Sequence, residues 1–129
     1  MTTFDFGNGP VPAHQHPNGD GWVADTATVS ETAYVGPNAW VFGDAEVDGD
    51  AVVYDNARVY GNAQVSGNAM VYCGAVVTGY AKVSGDAVVT GYAKVSGDAV
   101  VYGNAWVSDY AWVSGDTKLS GNARVTGNE

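Results

Sequence analysis

Small apolar residues recur along most of the chain at a fixed spacing of six. Valine occupies every sixth position from Val23 to Val125, with Leu119 as the one exception, and alanine stands two residues before nearly all of them. Because successive side chains of a strand point to opposite faces, each alanine and valine share one face and the residue between them takes the other. The pattern predicts a short strand in every hexad, with the Ala-Val face buried.

Turn residues fill the rest of each hexad. The third position is mostly glycine and the fourth mostly Asn or Asp, and these residues tolerate the positive φ of a sharp corner. The stretch VTGYAKVSGDAV occurs twice without change, at 77–88 and 89–100. A helix is excluded because such frequent glycine costs about 1 kcal/mol at each position. A chain that turns every six residues is typical of a solenoid, in which stacked coils pair their short strands.

The hexad Val-x-Gly-[Asn/Asp]-Ala-x resembles the repeat of the hexapeptide-repeat left-handed parallel β-helix family, the trimeric acyltransferase-like superfamily, of bacterial or phage type. The resemblance covers residues 23–128 without an insertion or deletion. It implies an all-β, single-domain, left-handed parallel β-helix with three hexads in each triangular coil and about six coils. We expect residues 1–21 to be an N-terminal capping segment and residues 22–129 to form the β-helix.

The capping segment holds both histidines and three of the four prolines. Phe4 or Phe6 could fold over the first coil and cover its core and strand edges. In an extended segment His14 and His16 would lie on one side, where they are candidate metal ligands. Two histidines without supporting ligands are a weak zinc signal, so a cap or loop is the alternative interpretation.

Three hexads per coil assign the outward residues to three sides of the solenoid. One side is apolar and aromatic, another is polar, and an exposed apolar strip of this kind usually marks an interface. The sequence therefore predicts self-association, as a homotrimer by resemblance to related β-helices, although aromatic and β-branched residues also simply suit strands. The predicted interface residues are Tyr34, Val52, Tyr54, Met70, Tyr72, Val88 and Trp106.

An enzymatic role is not favoured. The acyltransferases of the family typically have a long loop within the coils and a histidine base in or near them, whereas residues 23–128 contain neither. The repeated twelve residues make up two thirds of a coil, so equivalent side chains of the two copies lie on different sides of the solenoid. A catalytic site that needs its residues in fixed positions would not tolerate this displacement. We expect a non-catalytic scaffold, fibre segment or docking module without a cofactor. An acyltransferase-like enzyme and a glycan-binding or protein-binding module are the alternatives.

The net charge of the chain argues against two classes of binding partner. The 129 residues include 14 acidic and 5 basic ones, for a formal charge of −9, which argues against nucleic acid and anionic membranes. No signal peptide or membrane-spanning run is visible, so we expect a cytoplasmic protein or part of a phage particle.

Stacked corner carboxylates such as Asp98 and Asp116 could hold calcium, but corner aspartates more often form a hydrogen bond within their own turn. The single cysteine, Cys73, occupies a corner position usually held by glycine and is expected to be a free thiol.

Overall fold

Three parallel sheets form the walls of a β-solenoid of about six coils. The structure, a computed structural model, describes residues 2–7 and 9–126, and these contain strands and turns but no helix. Within the coils, each strand pairs in parallel with the strand 18 residues away, as Met70 does with Val88, so three hexads make one coil. The predicted all-β solenoid is confirmed, and its left-handed winding stays a prediction. The last predicted hexad runs into residues 127–129, which lie outside the described residues.

We name the three sheets by their outer faces. The capped sheet contains β1 (Thr3–Asp5), β2 (Pro10–Gln15), β3 (Trp22–Ala24), β6 (Trp40–Val41), β9 (Arg58–Val59), β12 (Val76–Val77), β15 (Lys94–Val95) and β18 (Trp112–Val113). The polar sheet contains β4 (Thr28–Val29), β7 (Glu46–Val47), β10 (Gln64–Val65), β13 (Lys82–Val83), β16 (Val100–Val101) and β19 (Lys118–Leu119). The apolar sheet contains β5 (Tyr34–Val35), β8 (Val52–Val53), β11 (Met70–Val71), β14 (Val88–Val89), β17 (Trp106–Val107) and β20 (Arg124–Val125).

Valine and alanine fill the inside of the solenoid. The residues predicted as core have no exposed surface, namely Val71, Val83, Val89, Ala69, Ala81 and Ala87. Only toward the two ends are core positions half-buried, as at Val29, Leu119, Ala123 and Val125. The prediction of which side chains point inward is confirmed.

Hydrogen bonds join neighbouring coils along the sheets and at the corners. In the apolar sheet, Met70 N–H donates to the Ala87 carbonyl at 2.9 Å. At a corner, Asp86 N–H donates to the Gly103 carbonyl at 2.8 Å. Because a strand of two residues cannot stand alone, each coil depends on its neighbours for backbone partners.

The segment before the coils forms an antiparallel hairpin, β1–β2, and β2 pairs antiparallel with β3. Ala13 and His16 are buried. The loop that follows β2 also protects the edge of β5, because Val35 N–H donates to the Asn18 carbonyl at 3.1 Å. The segment thus extends the capped sheet and covers part of a second sheet edge.

Candidate functional site

The apolar face is a column of outward residues in register. Tyr34, Val52, Met70, Val88 and Trp106 follow one another strand by strand. Met70 and Trp106 are each 39% exposed, and the others are half-buried. The structure thus places these five residues on one side of the solenoid, and their role as an interface stays a prediction.

Two tyrosines widen this column at the corner that follows it. The rings of Tyr54 and Tyr72 stack with centroids 4.8 Å apart and planes 10° apart. Burial is the main cause that raises the pKa of Tyr54, followed by Tyr72, Asp55 and Cys73. The phenol is thus held in its neutral form over a wider pH range, which suits an apolar surface.

The hairpin covers the start of the outer face of the capped sheet, whereas Trp112 at the far end of that face is 68% exposed. Phe4 stacks on Trp22 at 4.7 Å, and Phe6 stacks on Phe42 at the same distance. Both phenylalanines also contact Trp40 edge to face. The expectation that one of them covers the end of the core is not met. Both rings pack instead on aromatic side chains outside the sheet, whereas the core consists of Val and Ala and offers no ring to stack on.

Arg58 completes this cluster and was not identified from the sequence. Its guanidinium carbon lies 3.8 Å from the centroid of the Trp40 ring, a cation–π contact. Nη1 donates to the backbone carbonyls of Asn38, Asn56 and Ala57 at 2.8–3.1 Å. Burial lowers the pKa of Arg58 from its ordinary value.

The two histidines occupy different environments. His16 is buried and its Nε2–H donates to the Ala33 carbonyl at 2.9 Å, which also accepts from the Asn18 amide at 3.1 Å. His14 is exposed, and its Nδ1 lies 2.8 Å from the carboxylate of Asp25. The expected common side is therefore wrong, because His16 follows the end of β2 and its side chain is buried, whereas that of His14 stays exposed.

No described part of the chain gathers three or more His, Cys, Asp or Glu side chains into a metal-binding group. The assignment of His14 and His16 as metal ligands stays a prediction. Cys73 is exposed and makes no disulfide.

An apolar cleft lies between the hairpin and the first coils. Its volume is about 370 Å³, and Phe6, Val11, Pro12 and Phe42 form much of its wall. Asp25 stands in the lining, so the His14–Asp25 pair is next to this cleft. Local sequence does not indicate this pair, because residues eleven apart meet only through the antiparallel pairing of β2 and β3.

The described residues contain no helix that is long and apolar enough to cross a membrane.

The family model described as YdcK Beta solenoid repeat matches residues 51–64, 63–79 and 93–109, about a third of the chain and all within the coils. No curated protein and no solved structure matches the chain. The repeat matches and the stacked parallel coils agree, and the chain is a β-solenoid repeat protein.

Proposed function

We propose that the protein is a non-catalytic, rigid scaffold that associates with copies of itself through the apolar face, as a homotrimer of the hexapeptide-repeat left-handed β-helix type. The observation that carries the proposal is the difference among the three outer faces. The hairpin covers the aromatic residues at the start of the capped face, and the polar face carries Glu46, Gln64 and Lys82. The apolar face holds the aromatic strip for which the described chain supplies no such cover.

The physical motive is burial of apolar surface. Each Å² removed from water contributes about 25 cal/mol. Aromatic rings and Met are enriched in interfaces, whereas Lys and Glu are depleted, which matches the apolar face and not the polar one. Closed symmetric oligomers are the usual way in which a soluble chain covers such a strip.

Rigidity and tolerance to duplication support a scaffold. Every coil bonds to its neighbours on all three sheets and at corners. The repeated twelve residues put Val88 on the apolar face and Val100 on the polar face, with the coils intact around both. A repeat that only adds length to a scaffold tolerates such a displacement, whereas a catalytic site that needs fixed neighbouring residues does not.

The test is the mass of the particle in solution. Met70→Asp with Trp106→Asp places two charges 36 residues apart on the apolar face, and Gln64→Asp with Val100→Asp places the same charges with the same separation on the polar face. We expect light scattering to give an oligomer for the parent and the polar-face variant, and a folded, smaller particle for the apolar-face variant. A parent that is monomeric at high micromolar concentration would refute self-association and leave the same residues as a surface for another protein.

A second candidate is an acyltransferase-like enzyme, and the His14–Asp25 pair favours it. The carboxylate 2.8 Å from Nδ1 orients the ring, so Nε2 is the atom that could accept a proton as a general base. The apolar cleft beside the pair could hold the acyl donor. Calorimetry with acetyl-CoA tests this function. Low-micromolar binding that is lost in His14→Ala would support it, and absence of binding would reject it.

A further inference from the structure

The corner between the apolar and capped sheets differs from the other two corners. At those corners the third hexad position is glycine in most coils, whereas here it is held by Pro37, Asp55, Cys73, Gly91 and Asp109. Asp55, Cys73 and Asp109 keep the positive φ of the corner, at 58–60°. A left-handed backbone conformation costs an L-residue about 1–2 kcal/mol. The side chains of Asp55, Cys73 and Asp109 are therefore present despite a conformational cost that glycine would not have.

Two depressions at this corner share Asn38 and Asn56 and therefore adjoin. One has a volume of about 370 Å³ and is also lined by Asp55 and Tyr92. The other has a volume of about 300 Å³ and is also lined by Trp40 and Arg58. Together they make a groove that runs along the solenoid axis over several coils, within the range of volumes of small-molecule sites.

An aromatic platform borders one end of this groove. The rings of Tyr92 and Tyr110 stack with centroids 5.4 Å apart, and each residue is 66% exposed. Gly74 makes room for the first ring, since a Cβ at this position would lie 2.7 Å from Cδ1 of Tyr92. The absence of a side chain at position 74 thus leaves the space that the Tyr92 ring needs in this position.

The floor and the other end supply hydrogen-bonding groups. Asn38 and Asn56 each carry a carboxamide that both donates and accepts, Asp55 accepts, and Arg58 donates. Neighbouring coils place equivalent groups about 4.8 Å apart, a spacing close to the length of one sugar ring. One Asp55 oxygen accepts from the Cys73 N–H at 3.3 Å, which ties that carboxylate to the groove.

We propose that this groove binds a linear oligosaccharide that lies along the corner. Sugar rings present C–H faces that stack on aromatic rings, and hydroxyl groups that need both donors and acceptors. The groove combines the Tyr92 ring, which Tyr110 supports from the next coil, with Asp55 and the two carboxamides in that way. Nucleic acid is disfavoured by the charge of −9, and the polar floor does not suit a purely apolar ligand. The groove adjoins the self-association surface at Tyr54 and Tyr72 but has its own lining, so the inference goes beyond the proposed scaffold role.

The duplicated sequence supplies a matched control for the test. Tyr80 and Tyr92 occupy the same position in two identical VTGYAK hexads and are 64% and 66% exposed, but Tyr80 lies at a different corner. Calorimetric titrations would use three uncharged probes, the β-1,4-linked hexamers of glucose and of N-acetylglucosamine and the α-1,4-linked hexamer of glucose. We expect at least one hexamer to bind, Tyr92→Ala to weaken it at least about tenfold, and Tyr80→Ala to leave it unchanged.

Two further variants separate the platform from the floor. Gly74→Ala should displace the exposed Tyr92 ring and weaken binding without unfolding the coil, and Asp55→Asn should weaken binding while it keeps a residue that tolerates positive φ. Circular dichroism confirms that each variant is folded. Failure of all three hexamers to bind at millimolar concentration, or equal losses in Tyr80→Ala and Tyr92→Ala, would overturn the proposal.

Discussion

Replacement of one corner glycine tests how closely the coils are stacked. Gly85 has φ +65°, and a Cβ at this position would lie 2.9 Å from the Gly103 nitrogen and 3.1 Å from its oxygen. Gly121 belongs to the same column of corners and has φ +60°, but a Cβ there would meet no atom of the described residues within 4 Å. Gly85→Ala therefore adds both backbone strain and a clash, whereas Gly121→Ala adds the strain alone.

The expected free energies follow from these two contributions. An L-residue in the left-handed region costs about 1–2 kcal/mol, and the lower chain entropy of alanine in the unfolded state offsets about 0.5–1 kcal/mol of this cost. The strain alone thus leaves about 0.5–1 kcal/mol for Gly121→Ala. The clash in Gly85→Ala must push two coils apart and lengthen the 2.8 Å hydrogen bond from the Asp86 N–H to the Gly103 carbonyl. By analogy with overpacked cores, this clash adds about 1–3 kcal/mol to the loss of stability.

Thermal unfolding followed by circular dichroism measures the difference. For a chain of this length, 1 kcal/mol corresponds to roughly 4 °C. We expect Tm to fall by about 10 °C for Gly85→Ala and by about 2–4 °C for Gly121→Ala. Equal decreases in the two variants would refute the claim that close coil stacking, and not φ alone, requires glycine at these corners.

Three other variants test the core, the cap and the apolar face. Ala87→Leu should destabilise the enclosed core by about 1–3 kcal/mol, whereas Ala123→Leu at a half-buried position should have a smaller effect, and equal denaturation midpoints would contradict the packing. His16→Ala should cost about 1–3 kcal/mol through the lost buried contact, while exposed His14→Ala should stay within about 0.5 kcal/mol, as chemical denaturation can measure. The raised pKa of Tyr54 means that the unfolded chain ionises first, so stability should fall as pH rises past the ordinary value of 10.0. Tyr54→Phe should reduce this alkaline loss, and an unchanged pH profile would argue against the burial of that phenol.

The coils could be predicted because one rule governs every hexad. Alternation fixes which side chains are buried, and a repeat of three hexads fixes which outward residues share a sheet. Met70, Val88 and Trp106 thus fall in one column once the period is known. The matches to a solenoid repeat lie where this rule holds.

The hairpin and the corner groove could not be predicted in the same way. Residues before Trp22 lack the period, so nothing in the sequence determined that Phe4 and Phe6 would pack on the outside of the capped sheet. The His14–Asp25 contact depends on how β2 pairs with β3, which local sequence does not specify. The groove depends on the absence of a side chain at Gly74, whose effect is visible only when the neighbouring coil is in place.

The most direct test of the proposed scaffold uses the two identical copies of twelve residues. Val88→Asp and Val100→Asp introduce the same charge at the same position of the same local sequence, on the apolar face and the polar face respectively. Sedimentation velocity should give a smaller particle for Val88→Asp and the oligomer of the parent for Val100→Asp. If the two variants sediment alike, the apolar face is not the surface through which the protein associates.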